Sequence, residues 1–151
     1  MLKVYERNSD HTSGIECSRK LLVYLQACGE RAEECKITFH LAKLYELQNK
    51  FNEAKDLYKK ALIATETGER KRKACCYERL GYAYKSLCKY DKAVECLNKA
   101  LVIIKDIGNR EDEANCYGNL GTLHQCLGEY SKAEESEKSS VAFIFSFLSF
   151  C

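Results

Sequence analysis

Ten cysteines and three histidines are the residues of this chain that could do chemistry. Cysteine and histidine together bind zinc, paired cysteines form disulfides, and a cysteine beside a histidine makes a nucleophile. Spacing argues against all three. No two cysteines stand as Cys-x-x-Cys, and no cysteine pair is matched by a histidine pair, which is the spacing zinc sites use. The phosphate-binding G-x-x-x-x-G-K-[ST] loop and the G-x-S-x-G nucleophile elbow are missing from the sequence. Catalysis, a cofactor and a bound metal are therefore not expected. The basic run GERKRKACC from Gly68 has the composition of an anion or import patch; it is also what a solvated turn leading into a helix looks like. A formal net charge of +2 gives no reason to expect nucleic acid.

The elements that carry these residues recur. LAKLYELQNKFNEAKDLYKKAL starts at Leu41, LGYAYKSLCKYDKAVECLNKAL at Leu80 and LGTLHQCLGEYSKAEESEKSSV at Leu120, a period of 39 or 40 residues. Self-similarity at such a period marks a solenoid. Gly29, Gly68 and Gly108 mark the start of each copy; Phe51, Tyr90 and Tyr130 each precede Ala54, Ala93 and Ala133 by three residues. Stepping back one more period sets Tyr5 on Tyr45, His11 on Tyr90, Gly14 on Ala54 and Cys17 on Cys96. A degenerate, partial copy therefore occupies residues 1–28.

Within a copy the apolar spacing is helical. Ala74, Tyr77, Leu80, Gly81, Tyr84 and Leu87 fall at steps of three and four, one face of a helix. After a break near Cys88 and Lys89, the series Tyr90, Ala93, Leu97, Ala100, Leu101 repeats the pattern. Each copy is thus expected to be a helical hairpin, with Gly68 and Gly108 in the left-handed position beyond a helix end. No proline interrupts any of it. The register also absorbs cysteines. Cys35 takes the place of Ala74 and Ala114, Cys76 and Cys116 match Ile37, and Cys17 and Cys96 match Leu57, all packing positions where a thiol behaves as a small hydrophobe. Cys88, at the Gly128 position, is expected in an exposed turn.

Tyr77, Leu80, Gly81, Tyr84, Ala93, Leu97 and Ala100 together resemble the tetratricopeptide repeat. Copy one keeps the pattern as Thr38, Leu41, Ala42, Tyr45, Ala54, Tyr58 and Ala61. Copy three keeps Tyr117, Leu120, Gly121 and Ala133 but continues with His124, Glu137 and Ser140. The resemblance implies an all-α fold, a solenoid of antiparallel hairpins over residues 1–142: partial copy 1–28, then 29–67, 68–107 and 108–142. The period exceeds the family's usual ~34 residues, and this long form is similar to adaptors linking heterotrimeric G proteins to spindle orientation and to large multi-repeat scaffolds.

The same resemblance implies where a partner binds. In this family the first helix of each hairpin lines the concave groove. The positions flanking the packing stripe are Lys36, Phe39, His40, Lys43 and Glu46; then Cys75, Glu78, Arg79, Tyr82 and Lys85; then Asn115, Gly118, Asn119, Thr122 and Gln125. Lys36, His40, Lys43, Arg79, Tyr82, Asn115, Asn119 and Gln125 are the candidate groove residues. Their donors suit the carbonyls and carboxylates of a protein or peptide partner. Cys75 and His40 break the Lys, Asn and Arg pattern of carboxylate-gripping relatives, so general peptide binding is the expectation. The first ten residues lack the apolar core of a secretory signal, and a cytoplasmic scaffold or adaptor follows.

The tail departs from the repeat. FIFSFLSFC from Phe143 replaces the alternation seen around Asp106 and Gly108, and solenoids need polar ends. The apolar run is about ten residues, short of the ~20 that span a bilayer. Three readings follow: a truncated or spliced piece of a longer multi-repeat signalling protein, a makeshift cap, or a contact with a partner or a membrane surface. Truncation is favoured, because the first copy also begins part-way through. An apolar end invites self-association. Deleting residues 143–151 is therefore expected to raise the monomer fraction measured by light scattering; equal monomer content with and without the tail would contradict this.

Overall fold

Seven helices and no strand make up the described part of the computed structural model, which covers residues 11–65 and 69–148, with side chains to residue 142. They are α1 (His11–Cys28), α2 (Arg31–Leu47), α3 (Phe51–Ala64), α4 (Arg70–Ser86), α5 (Tyr90–Ile107), α6 (Arg110–Cys126) and α7 (Tyr130–Leu148). The chain divides into two compact units, Met1–Glu69 and Arg70–Cys151. Tyr5 and Gly68 lie outside the described residues, as do the side chains of the tail.

In the first unit α2 packs on both α1 and α3. Leu41, Ala42, Leu44 and Tyr45 of α2 and Ala54, Tyr58 and Ala61 of α3 are buried. The Tyr58 ring is fully enclosed, and its hydroxyl donates to Glu46 Oε2 at 2.7 Å, so burying this aromatic strands no polar atom. The α1 helix falls within residues 1–28, where the sequence suggests a degenerate copy. Gly14 and Ser18 are buried where Ala54 and Tyr58 stand one period later, and Ser18 Oγ donates to the Gly14 carbonyl at 2.8 Å. A Tyr45 that accepts from Arg19 holds α1 to α2.

The second unit stacks two hairpins, α4–α5 and α6–α7, joined through α5 and α6. Its core is Ala74, Cys76, Leu80, Ala83, Tyr84, Ala93, Leu97, Ala100, Ile104, Cys116, Leu120, Leu123 and Ala133. Close approach is made possible by small residues. A Cβ on Gly81 would sit 3.1 Å from Leu97 Cγ and 3.4 Å from the Ala93 carbonyl, and one on Gly121 would sit 3.2 Å from Glu137 Cγ. Ala93 itself is fully buried. Where the third copy turns polar, hydrogen bonds replace apolar packing: Ser140 Oγ of α7 donates to the Ala114 carbonyl of α6 at 3.0 Å. Tyr130 differs from its sequence counterparts. Phe51, Tyr90 and Tyr130 each open the first turn of their helix; Phe51 and Tyr90 are half-buried, but Tyr130 is 74% exposed.

Helix ends are set locally. Gly108 adopts φ +75° beyond α5 and donates to Ile104 O at 3.0 Å; Gly29 does the same job after α1 at φ +73°. Asn109 Oδ1 then caps α6 by accepting from the Asp112 amide at 3.2 Å, and Glu111, Asp112 and Glu113 sit in the positive first turn of that helix. The three hairpin turns are alike. Lys50, Lys89 and Glu129 donate their amides to Tyr45, Tyr84 and His124 carbonyls at 2.9, 2.9 and 2.8 Å. The preceding residue is left-handed in each: Asn49 at φ +57°, Cys88 at +55° and Gly128 at +73°.

That conformation costs an ordinary L-residue roughly 1–2 kcal/mol, while asparagine and glycine tolerate it. Cys88 is therefore strained where Asn49 and Gly128 are not. Cys88→Gly is expected to stabilise the protein by about 1 kcal/mol in urea unfolding. A loss of stability would show that the thiol makes a contact outweighing the strain.

Candidate functional site

The exposed face of the first helices is where packing leaves residues over. On α4 the stripe Leu80, Ala83 and Tyr84 is buried, so Glu78, Arg79, Tyr82 and Lys85 point away from it. On α6 burial of Cys116, Leu120 and Leu123 leaves Asn115, Asn119 and Thr122 exposed. Between them lies a depression of about 110 Å³ lined by Glu78, Gly81, Tyr82, Lys85, Leu97, Asn119 and Leu123. Gly81 has no side chain, so Leu97 of α5 reaches the depression past it. The walls are thus apolar at the floor and polar at the rim, with the Tyr82 ring 49% exposed.

Two of the eight candidate groove residues, Tyr82 and Asn119, meet at this depression. Arg79 and Asn115 are exposed on the same two helices but do not line it. Gln125 turns toward α7 and donates to Glu137 Oε1 at 2.6 Å. Lys36, His40 and Lys43 belong to the other unit, half-buried on α2. There Lys36 pairs with Glu33 one turn back, and the His40 ring stands edge-on to Phe39 at 6.5 Å.

Glu78 is the residue whose importance the eight candidates missed. It sits half-buried between α4 and α6 and accepts from the Cys116 thiol at 3.4 Å. Burial raises its carboxyl above the usual 4.5; the Cys116 hydrogen bond opposes that rise, and the charge of Asp112 adds to it. Cys116, fully enclosed, is pushed far above the ordinary thiol range, first by burial and then by the Glu78 charge. Cys75 rises for the same two reasons. These thiols stay protonated, and Cys116 serves as a donor. Thirty-eight residues separate the pair, so only the register of α4 against α6 reveals it.

The cysteines separate by burial. Cys35, Cys76, Cys96 and Cys116 are buried, Cys17 and Cys75 half-buried, and Cys28, Cys88 and Cys126 exposed. Cys35 donates to the Ala61 carbonyl at 3.3 Å. His124 does more than fill the tyrosine's place: its Nδ1 lies 2.7 Å from Glu129 Oε2, and Glu129 also takes Lys132 at 2.9 Å. Arg70, Lys71, Arg72 and Lys73 of the basic run open α4, and Arg70 lies 3.7 Å from Asp106.

Models of the tetratricopeptide repeat match residues 40–67 and 72–143. The chain is a tetratricopeptide repeat protein. No curated protein sequence matches it. Among solved structures, this repeat protein is similar to BtubC (BKLC) from P. vanneervenii, with 22% identity and a TM-score of 0.90 over 97% of this chain and 61% of that one. It is also similar to a candidate kinesin light chain of Podosopora anserina with nearly identical TPR-like repeats, at 17% identity and a TM-score of 0.80 over 97% and 72% of the two chains. The apo form of RapI matches at 18% identity and a TM-score of 0.87 over 95% and 40%. This chain thus spans 61% of BtubC and 40% of RapI, and the likeness is one of fold. No described helix is long and apolar enough to cross a membrane.

Two outcomes test this chemistry. A carboxyl raised in the folded state favours the protonated form there. Its contribution to stability is full below 4.5 and is lost as pH rises through the folded value. Glu78→Gln removes that loss, so its stability advantage over the parent is expected to grow as pH climbs from about 4.5 toward neutrality. A pH-independent gap in chemical denaturation would contradict the burial argument. Separately, thiol titration of the native protein is expected to label Cys28, Cys88 and Cys126 quickly and Cys35, Cys76 and Cys116 only on unfolding. Rapid labelling of the buried set would overturn their assignment to packing.

Proposed function

We propose that this chain is a protein-interaction scaffold that binds a peptide segment of its partner along the exposed face of its first helices, and that it is not an enzyme. The observation that carries this is the depression on α4 and α6. It combines an apolar floor, Leu97 and Leu123, with a half-exposed aromatic, Tyr82, and an amide, Asn119. Mostly apolar concavities with a few polar groups are what ligand sites look like. Tyrosine offers a large contact area at low entropic cost, and tyrosine is among the residues that dominate interface energetics. Repeat arrays use such faces for binding. Arg79 and Asn115 extend the donor surface on either side. Free thiols across both units suit a reducing compartment, so we place the scaffold in the cytoplasm.

Peptides selected from a random display library on the whole purified chain provide the test. Combining Tyr82→Ala with Asn119→Ala is expected to weaken their binding, measured by calorimetry, about tenfold or more. Lys92→Ala, on the exposed side of α5, is expected to leave it unchanged. Equal affinity in the Tyr82 and Asn119 double variant would remove this face from the function.

A further inference from the structure

The depression carries opposite charges at its two ends. Glu78 and Lys85 both line it, seven positions apart on α4, which is about 10 Å along a helix axis. Tyr82 lies between them on the same helix, and Asn119 stands on the α6 side. Glu78 is half-buried and its hydrogen-bond donor is a thiol, Cys116 at 3.4 Å; a thiol is a weak donor that leaves most of a carboxylate's acceptor capacity unused. Asp112 adds negative charge at this end, and Arg79, beside it and exposed, offsets part of it. At the other end Lys85 is half-buried and has no acidic partner among the described residues. A charge already partly stripped of water gains more from an incoming counter-charge than a fully solvated one does.

We propose that this depression takes a peptide in the polyproline-II conformation with a basic and an acidic side chain three residues apart, the basic one against Glu78 and the acidic one against Lys85. Backbone geometry selects the spacing. Polyproline II turns once every three residues and rises ~3.1 Å per residue, so side chains three apart share a face and stand ~9 Å apart. In a β-strand, side chains three apart point to opposite faces, and those two apart are only ~7 Å separated. The backbone of a polyproline-II segment makes no internal hydrogen bonds, which leaves its carbonyls and amides open to the Asn119 amide. Tyr82 offers its ring to the segment's apolar flank. This occupant rests on the peptide-binding function proposed above and names its chemistry.

Fluorescence anisotropy on the whole chain tests it with labelled peptides of about ten residues in a Gly, Ala and Pro background. One carries Lys and Glu three apart. Others carry them two apart, seven apart in a helical background, as Lys only, as Glu only, or as norleucine and glutamine. The three-apart opposite pair is expected to bind about tenfold tighter than the neutral and like-charged peptides. Glu78→Gln is expected to abolish the preference for Lys over norleucine, and Lys85→Met the preference for Glu over glutamine, with a melting temperature at or above the parent's for Glu78→Gln and close to it for Lys85→Met showing that both variants are folded. Equal binding of charged and neutral peptides would overturn the proposal; if Tyr82→Ala still weakens them all, peptide binding at this face survives. Tighter binding of the two-apart or the helical seven-apart peptide would overturn the polyproline-II occupant. Failure of every peptide to bind, or binding indifferent to Tyr82→Ala, would overturn both functions.

Discussion

The contact between Gly81 and the α5 surface formed by Ala93 and Leu97 sets the geometry of the second unit. With only about 3 Å between the position of a missing Cβ and Leu97, α4 and α5 lie as near as helices of this composition allow. That proximity closes the core over Leu80, Tyr84, Leu97 and Ala100. It also fixes which face of α4 turns outward, and so where Glu78, Tyr82 and Lys85 stand. Packing and site are the two sides of one helix. The first unit meets the same constraint differently: Ala42 is fully buried, as is the Tyr58 ring, and a hydroxyl bonded to Glu46 completes what is a plain apolar contact in the second.

Polar side chains enter this architecture in two ways: some are hydrogen-bonded, while His11 Nδ1 and Gln48 Oε1 are buried atoms without such a bond. Ser18, Ser140 and Tyr58 each reach an acceptor within 3.0 Å, so the apolar contact given up at these three positions strands no hydroxyl. Glu78 is bonded only weakly, since a thiol is a poor match for a carboxylate. Residues that break the rules of packing in otherwise regular repeats are where function is expected to reside.

Much of the fold was legible in the sequence because repetition multiplies a weak local signal. A single Leu-Gly or Tyr-x-x-Ala says little, but three copies in phase fixed the hairpins, the left-handed Gly108 and the buried places of Cys35, Cys76 and Cys116. The site was only partly legible. Register alone placed Tyr82 and Asn119 on the outward face. It could not show that Glu78 is half-buried, because that depends on α6 passing over it with Cys116, a contact between helices one period apart. Nor could it show Gln125 turned toward Glu137, or Tyr130 lifted from the core it was grouped with. Single side-chain directions at helix starts and rims are decided by tertiary neighbours, and periodicity carries no information about those.

The three hairpin turns share one hydrogen bond and one left-handed residue, though that residue is Asn49 in one, Cys88 in another and Gly128 in the third. The turn is therefore a property of the backbone path, indifferent within limits to the side chain placed on it. Helices paired by such a turn are interchangeable at their corners. A recombination between equivalent points of two copies regenerates the same corner, with no new junction to be accommodated. An array built so can lengthen by duplication while each copy's outward face drifts independently, which is how a row of identical corners comes to carry dissimilar walls.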